Sequence, residues 1–343
     1  MEVNTFDINF SSMNITYLIG NGLDIHYNLK TSYQDFYNEY LKKKAKTDNV
    51  QILKDCITQD EKAGKKLWKD LEIGLGDITA KYQQVADFLE AYEDISNELR
   101  IYINEQENTK LQISDEITKK FYNDLISPHT HLRPASYSKL SSYLDAFANF
   151  EWHINVVTFN YTSSLEKILN YKEGSIELGN NKYGKKVYLD NIKHLHGSCH
   201  DTILLGVNDI SQISNEAFKK DPNLTDVLIK IRANVSMENL MTEACTKYID
   251  DSNLICCYGL SMGPTDKYWW DTLSKVLSRT NGKLIIFEHR ENLDISKKEY
   301  YRGKIKREVI KNLLSNSSIK DESLIEKIAQ NVYVGINEKI FYK

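Results

Sequence analysis

No run of about 18 apolar residues occurs anywhere in the 343-residue chain, so no helical membrane span is expected. The amino terminus, Met1 to Met13, carries acids and amides where a secretory signal would have a basic start and an apolar stretch. A cytoplasmic location is the expectation. The five cysteines, Cys56, Cys199, Cys245, Cys256 and Cys257, are odd in number and include no Cys-x-x-Cys pair. That argues against a disulfide framework and against a four-cysteine zinc site. Excess positive charge is lacking too: the net charge is -4 with 27% charged residues. The overall field therefore gives no pull toward nucleic acid or anionic membrane, and such binding would need a local patch. What is present is 41% hydrophobic residues, enough for a core, on a length that accommodates two domains or one α/β core with a large insertion.

The chain is organised around Thr16-Tyr-Leu-Ile-Gly-Asn-Gly-Leu-Asp24. Ile15, Tyr17, Leu18 and Ile19 read as a buried parallel strand that stops at Gly20-Asn21-Gly22. Open α/β sheets bind ligands at such carboxyl ends, and two glycines allow close backbone approach to a phosphate or ribose. The third glycine of the dinucleotide fingerprint is missing, and a Gly-x-Gly turn by itself is commonly no more than a turn. Ser32 and Asp35 then resemble a capping box, and Tyr33, Phe36, Tyr37, Tyr40 and Leu41 recur at helical spacing. From Val50 to Asn149 the pattern stays helical, with one stripe through Val85, Phe88, Leu89, Tyr92, Ile95, Leu99 and Tyr102. Residues 31–149 thus read as a helical insertion, a lid or partner surface, between core segments 1–30 and 150–343.

Strand signals return at Ile154-Asn-Val-Val-Thr-Phe159, leading into Asn160-Tyr161-Thr162 and a helix. Asn160 is then placed at the carboxyl edge of the sheet, its amide aimed at the cleft of the first glycine turn; an asparagine capping its own turn is the plainer alternative. Further strands are read at Ile192–Gly197, Thr202–Val207, Asn253–Tyr258 and Lys283–Phe287, the last taken as the final parallel strand. A helical stretch spans Asn215 to Ile249, a hairpin spans Tyr171 to Asn191, and the charged segment Lys297–Arg307 reads as a solvated helix. Within Ile192–Gly197, His194 and His196 fall on one face by strand alternation. With Cys199 and His200 following, a metal cluster comes to mind, but no second ligand group has recognisable spacing, so no metal is expected. A histidine at a strand end serves equally as a general base. Alternating strands and helices indicate a Rossmann-like α/β fold, a parallel sheet with helices on both faces and a large helical insertion after the first strand.

Four pieces stand in order, each at a strand exit: Gly20-Asn-Gly-Leu-Asp24, Phe159-Asn-Tyr-Thr-Ser-Ser-Leu-Glu166, His194-Leu-His-Gly197, and Gly259-Leu-Ser261 with Asp266. Together they resemble the AbiH family of bacterial phage-abortive-infection proteins, itself similar to the sirtuin-like NAD-binding superfamily. Trp68 and Glu72 are similar to a tryptophan–acid pair of that family. The resemblance implies that Gly20, Asn21, Gly22 and Asp24 embrace the diphosphate and adenosine ribose of NAD. It further implies that Asn160, with Tyr161 beside it, orients water or the nicotinamide ribose, that His196 accepts a proton, and that Gly259 and Ser261, followed by Asp266, lie near the adenosine. Departures from the sirtuin pattern are Asn21 and Asp24 in place of Ala and Ser, and Thr162 in place of an acid. The implied activity is hydrolysis of NAD to nicotinamide and ADP-ribose, released by a phage-derived trigger and restrained by the insertion or by homo-oligomerisation. A non-catalytic sensor of NAD or ADP-ribose is the alternative, and a nucleic-acid-directed effector acting through Lys297–Arg307 ranks third.

Overall fold

The computed structural model describes residues 12–63, 70–109, 111–290, 293 and 299–342. Most of Met1–Met13, Trp68 and the start of Lys297–Arg307 lie outside these residues. The described strands are β1 (Met13–Ile19), β2 (Trp152–Thr158), β3 (Ile176–Asn180), β4 (Lys186–His194), β5 (Leu254–Tyr258), β6 (Lys283–Glu288) and β7 (Val332–Ile336). They make one sheet in the order β3-β4-β2-β1-β5-β6-β7, parallel throughout except for the β3–β4 hairpin. This is the α/β architecture expected from the sequence.

Between β1 and β2 the chain forms α1 (Gly22–His26), α2 (Tyr33–Tyr40), α3 (Asp48–Lys62), α4 (Leu71–Ile78), α5 (Val85–Glu107), α6 (Asp115–Ile126) and α7 (Pro134–Asp145). Then α8 (Ser164–Leu169) follows β2, and α9 (Pro222–Leu228), α10 (Lys230–Ser236) and α11 (Met241–Asp250) precede β5. Finally α12 (Lys267–Arg279) joins β5 to β6, while α13 (Tyr301–Ser315) and α14 (Glu322–Asn331) lead to β7. Local chemistry starts α2 where the sequence places it: Ser32 Oγ accepts the Asp35 N–H at 3.1 Å. Asp35 is too short to return to the cap backbone, and its carboxylate takes the Ser32 hydroxyl at 2.5 Å instead.

Side chains on β1, β5 and β6 alternate between two buried faces, so these strands read as unbroken apolar runs. Ile15, Tyr17, Cys256 and Ile285 pack under α6, α7 and α8 through Phe121, Leu125, Leu140 and Leu165. Leu18, Cys257, Leu284 and Ile286 pack against α11 to α14 on the opposite side. A third cluster stands apart from the sheet, joining α2 to α5 with α9 and the segment around Leu205. Packing therefore divides residues 31–149: α2 to α5 have a core of their own, whereas α6 and α7 cover the sheet.

Several sequence readings are corrected. Thr202–Val207 is not a strand of the sheet; its backbone makes only isolated bridges, Gly197 with Ile203 and Val207 with Ile229, and Ile203, Leu205 and Val207 point into the helical cluster. Lys283–Phe287 is followed by a further parallel strand, β7. The stretch Asn215–Ile249 breaks into separate short helices. The helix after Lys297 is amphipathic, with Ile305, Val309 and Leu313 buried. β4 runs on from the hairpin to His194 and stops there, so alternation does not carry His194 and His196 onto one face.

From β1 the chain moves to β2 and β4 on one side, then returns to β5 on the other, which makes the β1/β5 junction the topological switch point. Backbone clasps backbone there: the Gly20 N–H donates to Tyr258 O at 2.9 Å and the Gly22 N–H to Gly259 O at 3.0 Å. A Cβ on Gly22 would sit 2.5 Å from Gly259 Cα, and Gly259 itself adopts φ +68°. Gly22→Ala is expected to lower stability by about 1–3 kcal/mol in urea unfolding, because backbone must shift. Gly303→Ala, on α13 with nothing nearer than Arg307 Nη1 at 3.5 Å, is expected to raise it by up to about 1 kcal/mol.

Candidate functional site

A cleft of about 1320 Å³ opens above the carboxyl ends of β1, β5 and β6. Its floor is the glycine clasp, one wall is the start of α4, and the other carries Glu288, His289 and Arg290. Gly20, Asn21, Gly22, Tyr161, His196, Gly259, Ser261 and Asp266 all border it. Asp24 and Asn160 do not. They border a smaller cavity of about 110 Å³ that shares Asn21, Tyr33, Phe159 and Tyr161 with the cleft. The reason is alternation at the end of β2: Phe159 stacks on Trp270 at 5.7 Å and sets its ring against His196 at 5.5 Å, which turns the next side chain away. Asn21 also has a structural task, since its amide donates to Thr31 O at 2.9 Å and accepts the Thr31 hydroxyl at 2.6 Å.

The wall behind His196 is a buried ionic chain in which sequence reasoning named His196, Asp266 and Glu72 but missed Lys230, which joins them. His196 Nε2 lies 2.9 Å from Asp266 Oδ1, Lys230 Nζ lies 2.8 Å from the same oxygen, and Lys230 Nζ also lies 2.7 Å from Glu72 Oε2. Lys230 is 4% exposed. Burial alone would raise Asp266, but Lys230 and His196 hold it well below the usual carboxylate range. Glu72 moves the other way: burial pushes it up, and Lys230 only partly opposes this. Burial also lowers His196, with Lys230 adding to the effect and Asp266 resisting it. An ionised Asp266 requires the Nε2–H tautomer, which leaves His196 Nδ1 as a lone-pair acceptor; that atom is buried and has no partner. Asp70 completes the acidic edge, capping α4 through the N–H groups of Glu72 and Ile73 and accepting the Thr265 hydroxyl at 3.2 Å. Nothing in the local sequence around Lys230 marks it, because its partners lie 36 and 158 residues away.

In the smaller cavity, Asp24 is 1% exposed and takes hydroxyls from Thr162 at 2.7 Å and from Ser164. Burial lifts its pKa to about 6 against those hydrogen bonds. The expected approach of Asp24 to a diphosphate in the cleft is therefore not what the fold provides. Asn160 lies beside Asp24 and favours its charged form, yet neither Oδ1 nor Nδ2 makes a well-formed hydrogen bond. His194, expected alongside His196, instead pairs Nε2 with Glu166 at 2.6 Å and Nδ1 with Asn160 O at 2.9 Å. No described helix is long and apolar enough to cross a membrane.

Lys230→Met is expected to cost about 3–5 kcal/mol of stability, since it leaves Asp266 and Glu72 buried without their cation; adding Glu72→Gln should recover part of the loss, as read from urea midpoints. Thr162→Val should cost about 1–3 kcal/mol at pH 7, where Asp24 is ionised and loses a donor. Because the folded-state pKa of Asp24 is raised to about 6, the carboxyl takes up a proton as pH falls through that value, and the loss should shrink by pH 5. A loss independent of pH would assign the effect to packing.

A search of curated proteins gave no significant hit. The model of the family described as bacteriophage abortive infection AbiH matches residues 16–288, from β1 to the end of β6. That span covers most of the chain and all the residues of the cleft floor, and the chain accordingly belongs to the AbiH family of bacteriophage abortive infection proteins, with a role in abortive infection.

Proposed function

We propose that this protein carries out its abortive-infection role by hydrolysing NAD to nicotinamide and ADP-ribose. The observation that carries the reading is a pair of buried polar groups on the two sides of the Phe159–Tyr161 wall at the switch point: His196 Nδ1, with no hydrogen-bond partner among the described residues, and the Asn160 amide, with no well-formed hydrogen bond there. A buried polar group left unsatisfied costs about 1–3 kcal/mol, and ligand or water is what such groups are kept for at functional sites. The cleft exceeds the roughly 300–1,000 Å³ of ordinary small-molecule sites, which suits a dinucleotide.

Cleavage of the nicotinamide–ribose bond releases a neutral base from a pyridinium, so no acid is needed for the leaving group. The site must supply a held water and support for an oxocarbenium-like ribose. His196 is suited to accept the proton from water or a ribose hydroxyl at Nδ1, with Asp266 fixing the tautomer and Lys230 holding Asp266. Asn160 is suited to hold water or a carboxamide. An enzyme of this kind that is always active would be toxic, and restraint by the helical unit or by self-association, lifted by a phage-derived trigger, belongs to the proposal.

The wall between Asn160 and His196 favours a second reading, in which an NAD- or ADP-ribose-type ligand is bound and sensed without cleavage. On α13, Arg302 pairs with Glu299 and Glu338, and Lys304 lies 3.9 Å from Glu308, which offsets part of the basic charge that nucleic acid would need.

Incubation with NAD, followed by chromatography for nicotinamide, decides between the readings. Wild type is expected to release nicotinamide during infection, with His196→Ala reduced by about 10²–10⁴-fold. Because burial and Lys230 lower the His196 pKa, the acidic limb of the rate profile should fall below pH 6.5. Ligand binding without nicotinamide release would establish the sensor, and neither binding nor release would overturn both.

A further inference from the structure

We propose that Glu107, Cys199 and His200 form a binding site for one thiophilic divalent cation of the zinc class. Among the described residues they are a single group of three potential metal donors, with the donor atoms all within 4.8 Å of one another. The site is built from two parts of the fold. Glu107 is the last residue of α5, and Cys199 and His200 lie in the loop after β4, held in place by the Cys199 N–H donating to Tyr161 O at 2.8 Å.

The contacts already present trace a coordination shell with protons where an ion would sit. The Cys199 thiol donates to Glu107 Oε2 at 3.0 Å, and His200 Nε2 lies 2.9 Å from Oε1. In a zinc tetrahedron, bonds of about 2.3 Å to sulfur and about 2.0–2.2 Å to nitrogen and oxygen place neighbouring donors roughly 3.3–3.6 Å apart. The two short contacts would lengthen by about half an ångström, while a donor pair at the 4.8 Å limit would close by about 1.2 Å. The Glu107 carboxylate is 1% exposed on its side chain and faces both other donors. Binding forms bonds from the metal to sulfur, nitrogen and oxygen; the thiol proton leaves to solvent, and the single ring proton of neutral His200 passes by way of solvent from Nε2 to Nδ1, which frees the Nε2 lone pair for the metal. Lys167 Nζ, 2.8 Å from Oε1 and 42% exposed on its side chain, has room to swing out. The His200 side chain is 52% exposed, which gives the ion its entry path, and water supplies the fourth ligand. The Ser163 N–H, 3.1 Å from Oε2, is an outer-shell donor to the ligating carboxylate.

Chelator-treated full-length protein titrated with Co²⁺ tests the site independently of any NAD chemistry. The expected result is the visible spectrum of four-coordinate Co²⁺ together with a near-ultraviolet thiolate charge-transfer band, both displaced by Zn²⁺. Cys199→Ser should abolish the thiolate band, and His200→Ala should weaken Zn²⁺ binding by more than the roughly 10–100-fold that loss of an outer-shell partner costs. His200 is exposed enough for its variant to fold if Cys199→Ser does not. Absence of a thiolate band in wild type would overturn the proposal, as would a band and affinity unchanged in His200→Ala, which would trace the ion to another cysteine.

Discussion

One ammonium group, Lys230 Nζ, joins parts of the chain that are distant in sequence. It sits between Glu72 on the helical unit and Asp266 at the entrance to α12, and Asp266 in turn holds His196 at the exit of β4. Lys230, Glu72 and His196 are buried, so each partner matters more than it would at the surface, and removal of one leaves the others with an uncompensated charge. Burial lifts Glu72 while Lys230 and His196 hold Asp266 down, so Asp266 keeps its charge more firmly than Glu72. Burial and Lys230 disfavour the protonated form of His196, and Asp266 orients its Nε2.

Much of the frame was legible because parallel strands buried on both faces write themselves as apolar β-branched runs, and glycine marks where they stop. β1, β2, β5 and β6 follow that rule. β7 did not, because five residues with Gly335 in fourth place make a weak run, and the strand pairs with β6 only after two helices have intervened. Thr202–Val207 shows the opposite error: its apolar residues are real core residues, but of the helical cluster and not of the sheet. The site was legible in part. Motif order foretold which loops meet at the switch point, yet on which side of Phe159 and Tyr161 each side chain falls depends on how β2 ends. Lys230 could not be found, since a buried lysine is defined by distant partners.

Asp24 stands close to the glycine turn, yet the fold directs its carboxylate away from the cleft. It takes the Thr162 hydroxyl at 2.7 Å and the Ser164 hydroxyl as well, in the smaller cavity, so the two segments are joined by hydroxyl-to-carboxylate bonds.

The glycine clasp has a consequence for how such a protein can change. Its contacts are amide to carbonyl and Cα to Cα, made of atoms that every amino-acid sequence possesses, and the cleft rests on it. The surrounding walls are side chains from the helical unit and from segments after β6, none of which sets the spacing of that floor. Selection by changing viruses is therefore free to redecorate the opening while the foundation stays put, provided that two small residues facing one another across the junction are never enlarged.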